Sequence, residues 1–146
     1  HLGRIGRLEL IPSVVGKVIV PRTVWGELVH PGTRSDVLHA VQSASWIDVV
    51  EDPRVEDLKL DPGETAAILL AEAMSADALL IDERRGRAVA SSRGIAVIGT
   101  LGIVAGARRR EVIESAAPII AELRADGFWL ADSLVAALLH ELGEAP

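Results

Sequence analysis

Two acidic side chains, Glu64 and Asp82, have the positions in this chain that best suit chemistry on a ligand. Glu64 lies in the first turn of a predicted helix that begins after Asp61, and Asp82 comes directly after the short apolar run 78–81. If that run is a parallel strand, its carboxyl end and the start of the preceding helix meet at one sheet edge, where ligands bind. Facing carboxylates are the ligands that hard cations prefer. The spacing therefore predicts the beginning of a cation site.

Each of these acids also has a purely structural interpretation. Asp61, Pro62 and Glu64 form a capping pattern, in which Asp61 caps the helix and Glu64 reaches back to a free backbone N–H. Asp82 can be the N-cap of a helix that begins at Glu83. The two roles do not exclude each other, because Asp61 alone can cap. Gly63 is a poor residue for a first helical turn, which favours a site that another group approaches closely.

Glu27 is the third candidate acid. It lies on a predicted helix at residues 21–30, beside the apolar stripe formed by Val24 and Leu28. The alternative is an ordinary solvated glutamate. Asp132, by contrast, precedes the last helix and is most simply its N-cap.

Composition limits the class of protein. The chain has 146 residues, 49% of them hydrophobic, which suits one folded domain over residues 1–146 and excludes a disordered chain. With no cysteine there is no disulfide, no thiolate nucleophile and no cysteine-held zinc. No apolar run approaches the ~18 residues of a membrane span, and no signal peptide is visible. We therefore expect a cytoplasmic protein.

Charge is distributed unevenly along the chain. The net charge is −6, which argues against a general polyanion binder, yet residues 83–110 contain seven arginines and one acid. This segment can form a basic rim beside an acidic centre, with Arg84, Arg85 and Arg87 closest to Asp82. The alternative is that the arginines coat solvated helix faces.

Apolar runs alternating with amphipathic segments predict an α/β fold, with a central, mostly parallel sheet in a three-layer α/β/α sandwich. The opening helix at 2–10 suggests that a strand precedes it, so we expect the N-terminus to be incomplete. The predicted strands are 14–20, 46–50, 78–81, 95–98 and 128–130, and the further helices are 21–30, 36–44, 62–75, 83–91, 100–109, 115–125 and 132–142.

Several enzyme classes lack their signatures here. The four histidines form no i, i+4 pair, so a zinc hydrolase is unsupported. The chain has no Gly-x-Ser-x-Gly elbow and no Gly-Lys-Ser/Thr phosphate loop. Residues 99–102, Gly-Thr-Leu-Gly, follow a strand and open a helix, which leaves phosphate or nucleotide binding as a weaker alternative to a simple turn.

Taken together, six motifs in order resemble the PIN domain, the small metal-dependent ribonuclease fold of VapC-type toxins, and in particular a prokaryotic PIN-like branch of unknown function. The resemblance runs nearly end to end. The motifs are Ile-Gly-Arg-Leu-Glu-Leu at 5–10, Pro-x-x-Val-x-x-Glu-Leu at 21–28, Leu-Asp-Pro-Gly-Glu-Thr-Ala-Ala-Ile at 60–68, Leu-Leu-Ile-Asp-Glu-Arg-Arg-Gly-Arg at 79–87, Val-Ile-Gly-Thr-Leu-Gly at 97–102 and Gly-Phe-Trp-Leu-Ala-Asp at 127–132.

The resemblance implies that Glu27, Glu64 and Asp82 are catalytic and ligate Mg²⁺ or Mn²⁺. It implies an endoribonuclease, the toxin half of a toxin–antitoxin pair, with RNA as substrate, a small antitoxin as partner and a possible homodimer. Arg84, Arg85 and Arg87 would contact RNA phosphates. The family's first aspartate, at the end of an N-terminal strand, is missing before Leu2, and we expect a trimmed chain. The alternative is a non-catalytic binding module with an incomplete carboxylate site.

Overall fold

The computed structural model describes residues 1–144 and contains two compact units. The central unit is Lys17–Gly99, and the terminal unit comprises His1–Gly16 together with the chain from Thr100 onward. The described elements are, in chain order, a 3-10 helix Leu2–Ile5, α1 Leu10–Val15, β1 Val18–Pro21, α2 Arg22–Leu28, α3 Ser35–Gln42, β2 Ile47–Val50, α4 Pro62–Ala73, β3 Leu79–Leu80, α5 Arg84–Ser92, β4 Val97–Ile98, α6 Thr100–Arg109, α7 Ala117–Ala125 and α8 Asp132–Glu141.

The strands of the central unit form two short parallel pairs. β1 pairs with β2 in the register Val18 to Ile47, and β3 pairs with β4 in the register Leu79 to Val97. This confirms a mixed α/β fold with parallel strands. The three-layer sandwich stays a prediction, as does a single domain over 1–146, whose last two residues lie outside the described part.

Helix α4 organises the core of the central unit. Ile68 and Ala71 of α4 are buried against Leu79 of β3 and Ala90 of α5. α4 also packs against α2 and β1. Because α4 contacts the elements on both sides, its first turn is held in a fixed position relative to α2 and α5. That turn carries Glu64.

In the terminal unit, α6 packs against α1 and α7. Gly106 of α6 leaves room for Val14, since a Cβ at position 106 would lie 2.8 Å from a Val14 methyl group. Ile119, Ile120 and Leu123 of α7 are buried, whereas Leu134 of α8 is 53% exposed. Residues 119–123 are therefore core, and residues 134–139 offer some apolar surface.

Three element predictions were wrong. The helix expected at 2–10 is a 3-10 turn closed by Gly6 in the left-handed region, at φ 72°, followed by the separate helix α1. Val14 belongs to α1, and the strand begins only at Val18, after the turn at Gly16. No strand forms at 128–130, because the Phe128 N–H bonds to the Leu123 carbonyl and the Arg124 side chain takes the Leu130 carbonyl.

The loop at 128–130 leaves Trp129 82% exposed. None of the helices within residues 1–144 has the length and apolar character needed to cross a bilayer.

Candidate active site

The Glu27 carboxylate lies against the first turn of α4, which also carries Glu64. Packing of α2 against α4 directs the Glu27 carboxylate onto the backbone of Gly63, where a Cβ would lie only 2.4 Å from Oε1 and 2.6 Å from Oε2 of Glu27. Gly63 is buried, and Glu64 is the next residue along the helix. The suspected close approach at Gly63 is therefore confirmed, and the approaching group is a carboxylate.

Asp61 is the N-cap of α4, as the capping pattern predicts. Its Oδ1 accepts a hydrogen bond of 2.8 Å from the Glu64 N–H, and Pro62 occupies the first helical position. The cap therefore uses the backbone of Glu64. The half-buried Glu64 carboxylate in turn accepts a hydrogen bond from the Asp61 backbone N–H, which is the reciprocal contact of a capping box.

The surroundings raise the pKa of both glutamates. Most of the Glu27 side chain is exposed, but its carboxyl group is partly buried. This burial raises the pKa of Glu27, and the charge of Asp61 raises it further. For Glu64, burial is again the main cause of the raised pKa, followed by the charges of Asp61 and Glu83. The hydrogen bond from the Asp61 backbone N–H and the positive charge of Arg85 oppose the increase. The start of α4 is thus a place where negative charge is crowded and incompletely neutralised.

Asp82 follows β3, as expected, but it does not cap α5. The cap position belongs to Glu83, whose Oε1 accepts from the Arg85 N–H at 3.3 Å. Asp82 instead reaches Gly99, where a Cβ would lie 2.8 Å from Asp82 Oδ1 and 2.6 Å from Arg87 Nη1. The carboxylate of Asp82 and the guanidinium of Arg87 therefore share the space that Gly99 leaves open.

The same local geometry brings α5 to Glu64. A Cβ at Gly86, in the first turns of α5, would lie 3.5 Å from the Glu64 carboxyl carbon. The Ile81 side chain is closer still, at 2.5 Å, so Gly86 leaves room for Ile81 and, beside it, for Glu64. The sequence indicated Gly63; the importance of Gly86 and Gly99 was missed, although three glycines beside three candidate acids are a signal that could have been used.

The three arginines beside Asp82 have different environments. Arg85 Nη2 donates to the Lys59 carbonyl at 3.0 Å, and Arg87 Nη1 donates to the Ile81 carbonyl at 3.0 Å. Arg84 is exposed and meets no acceptor within the described chain. Arg85 and Arg87 therefore each use part of the guanidinium on a backbone carbonyl. Of the three arginines, only Arg84 has its whole guanidinium available to a phosphate.

Three further arginines of residues 83–110 form ion pairs with acids of the described chain. Arg93 binds Glu72 and Glu56, while Arg108 and Arg109 bind Glu144 and Glu141. Asp132 lies in the first turn of α8, where Ala131 occupies the cap position, so the prediction of an Asp132 cap was wrong. The Asp132 carboxylate instead pairs with Arg124 at 2.9 Å.

All three candidate ligands are carboxylates, which suit a hard cation. Their positions, however, do not surround a single ion. Glu27 and Glu64 lie around Gly63, whereas Asp82 lies beside Gly99. Among the side chains of residues 1–144, no three His, Asp or Glu converge closely enough to hold one ion. Glu27 therefore lies against the helical turn that carries Glu64, and Asp82 lies just beyond the end of β3.

A family model described as a PIN domain matches residues 1–144. No curated protein and no solved structure matches the chain. The family model covers nearly the whole sequence, including all six motifs. The chain therefore belongs to the PIN domain family, whose fold is nuclease-like.

Proposed function

We propose that this protein is a metal-dependent endoribonuclease that hydrolyses RNA phosphodiester bonds. The observation that supports this function best is the packing of the Glu27 carboxylate against Gly63, the residue before Glu64 in α4. Burial raises the pKa of both Glu27 and Glu64, and the charge of Asp61 raises it further, so keeping both acids ionised costs free energy. Such an arrangement suits a function rather than stability.

Glu27, Glu64 and Asp82 would hold Mg²⁺ or Mn²⁺, the divalent ions that carboxylate oxygens favour and that PIN domains generally use. When bound, such an ion polarises a phosphoryl oxygen and makes water a stronger nucleophile. A cation would also offset the crowded negative charge at the start of α4.

The chain's own side chains would bind and orient the RNA. The free guanidinium of Arg84 suits a bidentate contact with a phosphate. Arg85 and Arg87 act mainly through the backbone that they hold: Arg85 fixes the Lys59 carbonyl, and Arg87 fixes the end of β3 next to Asp82. This division refines the expectation that all three arginines contact phosphates.

The proposal includes the biological role that the resemblance implies. The protein would be the toxin of a toxin–antitoxin pair, acting in the cytoplasm with a small protein antitoxin as its partner. A homodimer is part of the same proposal, with the partly exposed apolar residues of α8 as its contact surface.

The first experiment is an RNA cleavage assay on the protein as its gene encodes it. With Mn²⁺ or Mg²⁺ we expect cleavage of single-stranded RNA, and none with EDTA. Asp82→Asn, Glu64→Gln and Glu27→Gln should each slow cleavage by about 10²-fold or more. Asp77→Asn and Glu9→Gln change exposed acids elsewhere and should have no effect. Cleavage that persists in EDTA or in Asp82→Asn would disprove the proposal.

A non-catalytic binding module is the second candidate, and the separate positions of Glu27 at Gly63 and Asp82 at Gly99 favour it. In that case the acids never gather around one ion. Calorimetric titration of the encoded protein with Mn²⁺ separates the candidates: binding that Asp82→Asn weakens supports the nuclease, and no binding supports the module.

A further inference from the structure

An open cavity of about 360 Å³ lies beside Glu64 in the central unit. Its volume is at the lower end of the range for small-molecule sites, which suits one nucleotide-sized group. The lining residues come from the loop before α4, from the first turn of α4 and from the start of α5: Lys59, Leu60, Asp61, Glu64, Glu83 and Arg85.

The loop wall of the cavity is fixed by several contacts. Lys59 has φ 60°, a left-handed conformation that is uncommon for a residue other than glycine. Its N–H and its ammonium group both bind Asp57, at 2.9 and 2.7 Å, and its carbonyl accepts from Arg85. A strained residue persists where its surroundings determine it, and such residues cluster at ligand sites. The wall is therefore preformed.

The three carboxylates of the cavity differ in what they can still bind. Asp61 caps α4, and Glu64 belongs to the proposed cation site. Glu83 uses Oε1 in a bond of 3.3 Å to the Arg85 N–H, which leaves Oε2 as an acceptor directed to no other described group. Glu83 is thus the carboxylate best able to accept a hydrogen bond from a ligand.

A hydroxyl donor suits this cavity better than a phosphate does. Three carboxylates outnumber the two cations, Lys59 and Arg85, so the lining repels an anion overall. A ribose hydroxyl is neutral and donates a hydrogen bond, and carboxylates recognise it in other nucleotide sites. The side chain of Leu60 supplies an apolar contact for the sugar or base.

We infer that this cavity receives the ribose and base of one nucleotide of the substrate RNA, and that Glu83 accepts a hydrogen bond from its 2′-hydroxyl. The 2′-hydroxyl is the group by which a protein distinguishes RNA from DNA at a given position. Glu83 is thereby a specificity-determining residue for RNA. The inference rests on the proposed function for its substrate, but not on catalysis.

The test compares the binding of two short oligonucleotides that differ only in having or lacking their 2′-hydroxyl groups. Fluorescence anisotropy gives the affinity of the encoded protein for labelled triuridylate and for its all-2′-deoxy counterpart, both in EDTA so that nothing is cleaved. The unchanged protein should bind the ribo form about tenfold more tightly, the effect of one hydrogen bond of ~1.4 kcal/mol. Glu83→Ala should bring the ratio close to one, mainly by weakening the ribo form.

Two further variants keep the result interpretable. Glu83→Gln retains an oxygen for the α5 cap and a weaker acceptor, so it should give an intermediate ratio even if Glu83→Ala folds poorly. Glu9→Ala should leave the ratio unchanged. An unchanged ratio in both Glu83 variants would overturn the inference, as would equal affinity of the unchanged protein for both oligonucleotides. RNA preference without cleavage in Mn²⁺ would contradict the nuclease alone.

Discussion

The carboxylate of Glu27 and the α-carbon of Gly63 are packed so closely that no side chain fits between them. The nearest carboxylate oxygen would be 2.4 Å from a Cβ at position 63, far inside normal contact distance. Glycine is therefore required at the first turn of α4 for the Glu27 carboxylate to occupy this position. Helix α2 supplies the Glu27 carboxylate, and Gly63 of α4 leaves the space that it occupies.

Gly63→Ala should separate activity from stability. Alanine favours a helix over glycine by up to ~1 kcal/mol, and Glu27 can swing away at little cost because its end is flexible. We expect an unfolding free energy that is unchanged or higher, together with RNA cleavage reduced about tenfold or more. Urea unfolding and the cleavage assay check the two quantities.

Gly26→Ala is the matched control, because position 26 is on the same helix as Glu27 and its Cβ would meet nothing within 4 Å. It should gain similar stability and keep full activity. Full activity in Gly63→Ala would show that the position of Glu27 does not matter.

Gly99→Ala tests the position of Asp82. The added Cβ would contact Asp82 Oδ1 and Arg87 Nη1, so one of the two must move. We expect Mn²⁺ affinity to fall by about tenfold, as calorimetry would measure, since a displaced ligand binds less well. Equal affinity would mean that Asp82 already leaves this place when the ion binds.

Glu144 should make the terminal unit sensitive to acid. Burial would raise the pKa of its carboxyl, but hydrogen bonds from the Ala116 and Ala117 N–H groups, Ser115 and Arg108 lower it to about 2. Because the folded pKa is below the unfolded value, Glu144 stabilises the fold above about pH 4.5. This stabilisation disappears as pH falls from 4.5 toward 2.

Glu144→Ala should therefore lower the unfolding free energy by about 2 kcal/mol at pH 7, the scale of charge-assisted hydrogen bonds. The difference from the unchanged protein should shrink at pH 3. Glu141→Ala removes an exposed carboxylate paired with Arg109 and should cost less than ~1 kcal/mol. Denaturant titrations at pH 7 and pH 3 measure these unfolding free energies. An equal loss of stability in the two variants at pH 7 would contradict the role of Glu144.

Arg93 should hold the segment that leads to Asp61. Its guanidinium binds Glu72 of α4 at 2.6 and 3.0 Å and Glu56 of the preceding loop at 2.8 Å. In Arg93→Ala we expect limited proteolysis to cut residues 51–59 several-fold faster. Lys17→Ala removes an exposed ion pair with Asp48 and should leave the rate unchanged. Equal protection of the segment in both variants would show that Arg93 is dispensable.

Local sequence signals predicted much of the fold. Residues 100–109 form a helix with the expected bounds, and the Asp61 cap is present with Pro62 in the first turn. The errors arose where tertiary contacts overrode local preference. Val14 is β-branched, a residue type that favours strands, but it belongs to α1 and packs against Gly106. Phe128 does not form a strand, because its backbone N–H donates to the Leu123 carbonyl at the end of α7.

The sequence named candidate site residues, which stay a prediction, but it did not give their geometry. The order of motifs identified Glu27, Glu64 and Asp82, and family membership supports the choice of domain. The sequence did not reveal that Asp82 shares space with Arg87 over Gly99, or that Arg85 is used on a backbone carbonyl. Both depend on side-chain packing between elements that lie apart in the chain.

The exposed Trp129 has a practical consequence for optical work. The chain has three tryptophans and no tyrosine, so its near-ultraviolet emission comes from tryptophan alone. Acrylamide should quench Trp129, which is 82% exposed, before the half-buried Trp25 and Trp46. The remaining emission then reports on the central unit, and Trp25 is two residues from Glu27. Addition of Mn²⁺ can thus be followed by the protein's own fluorescence, without a label.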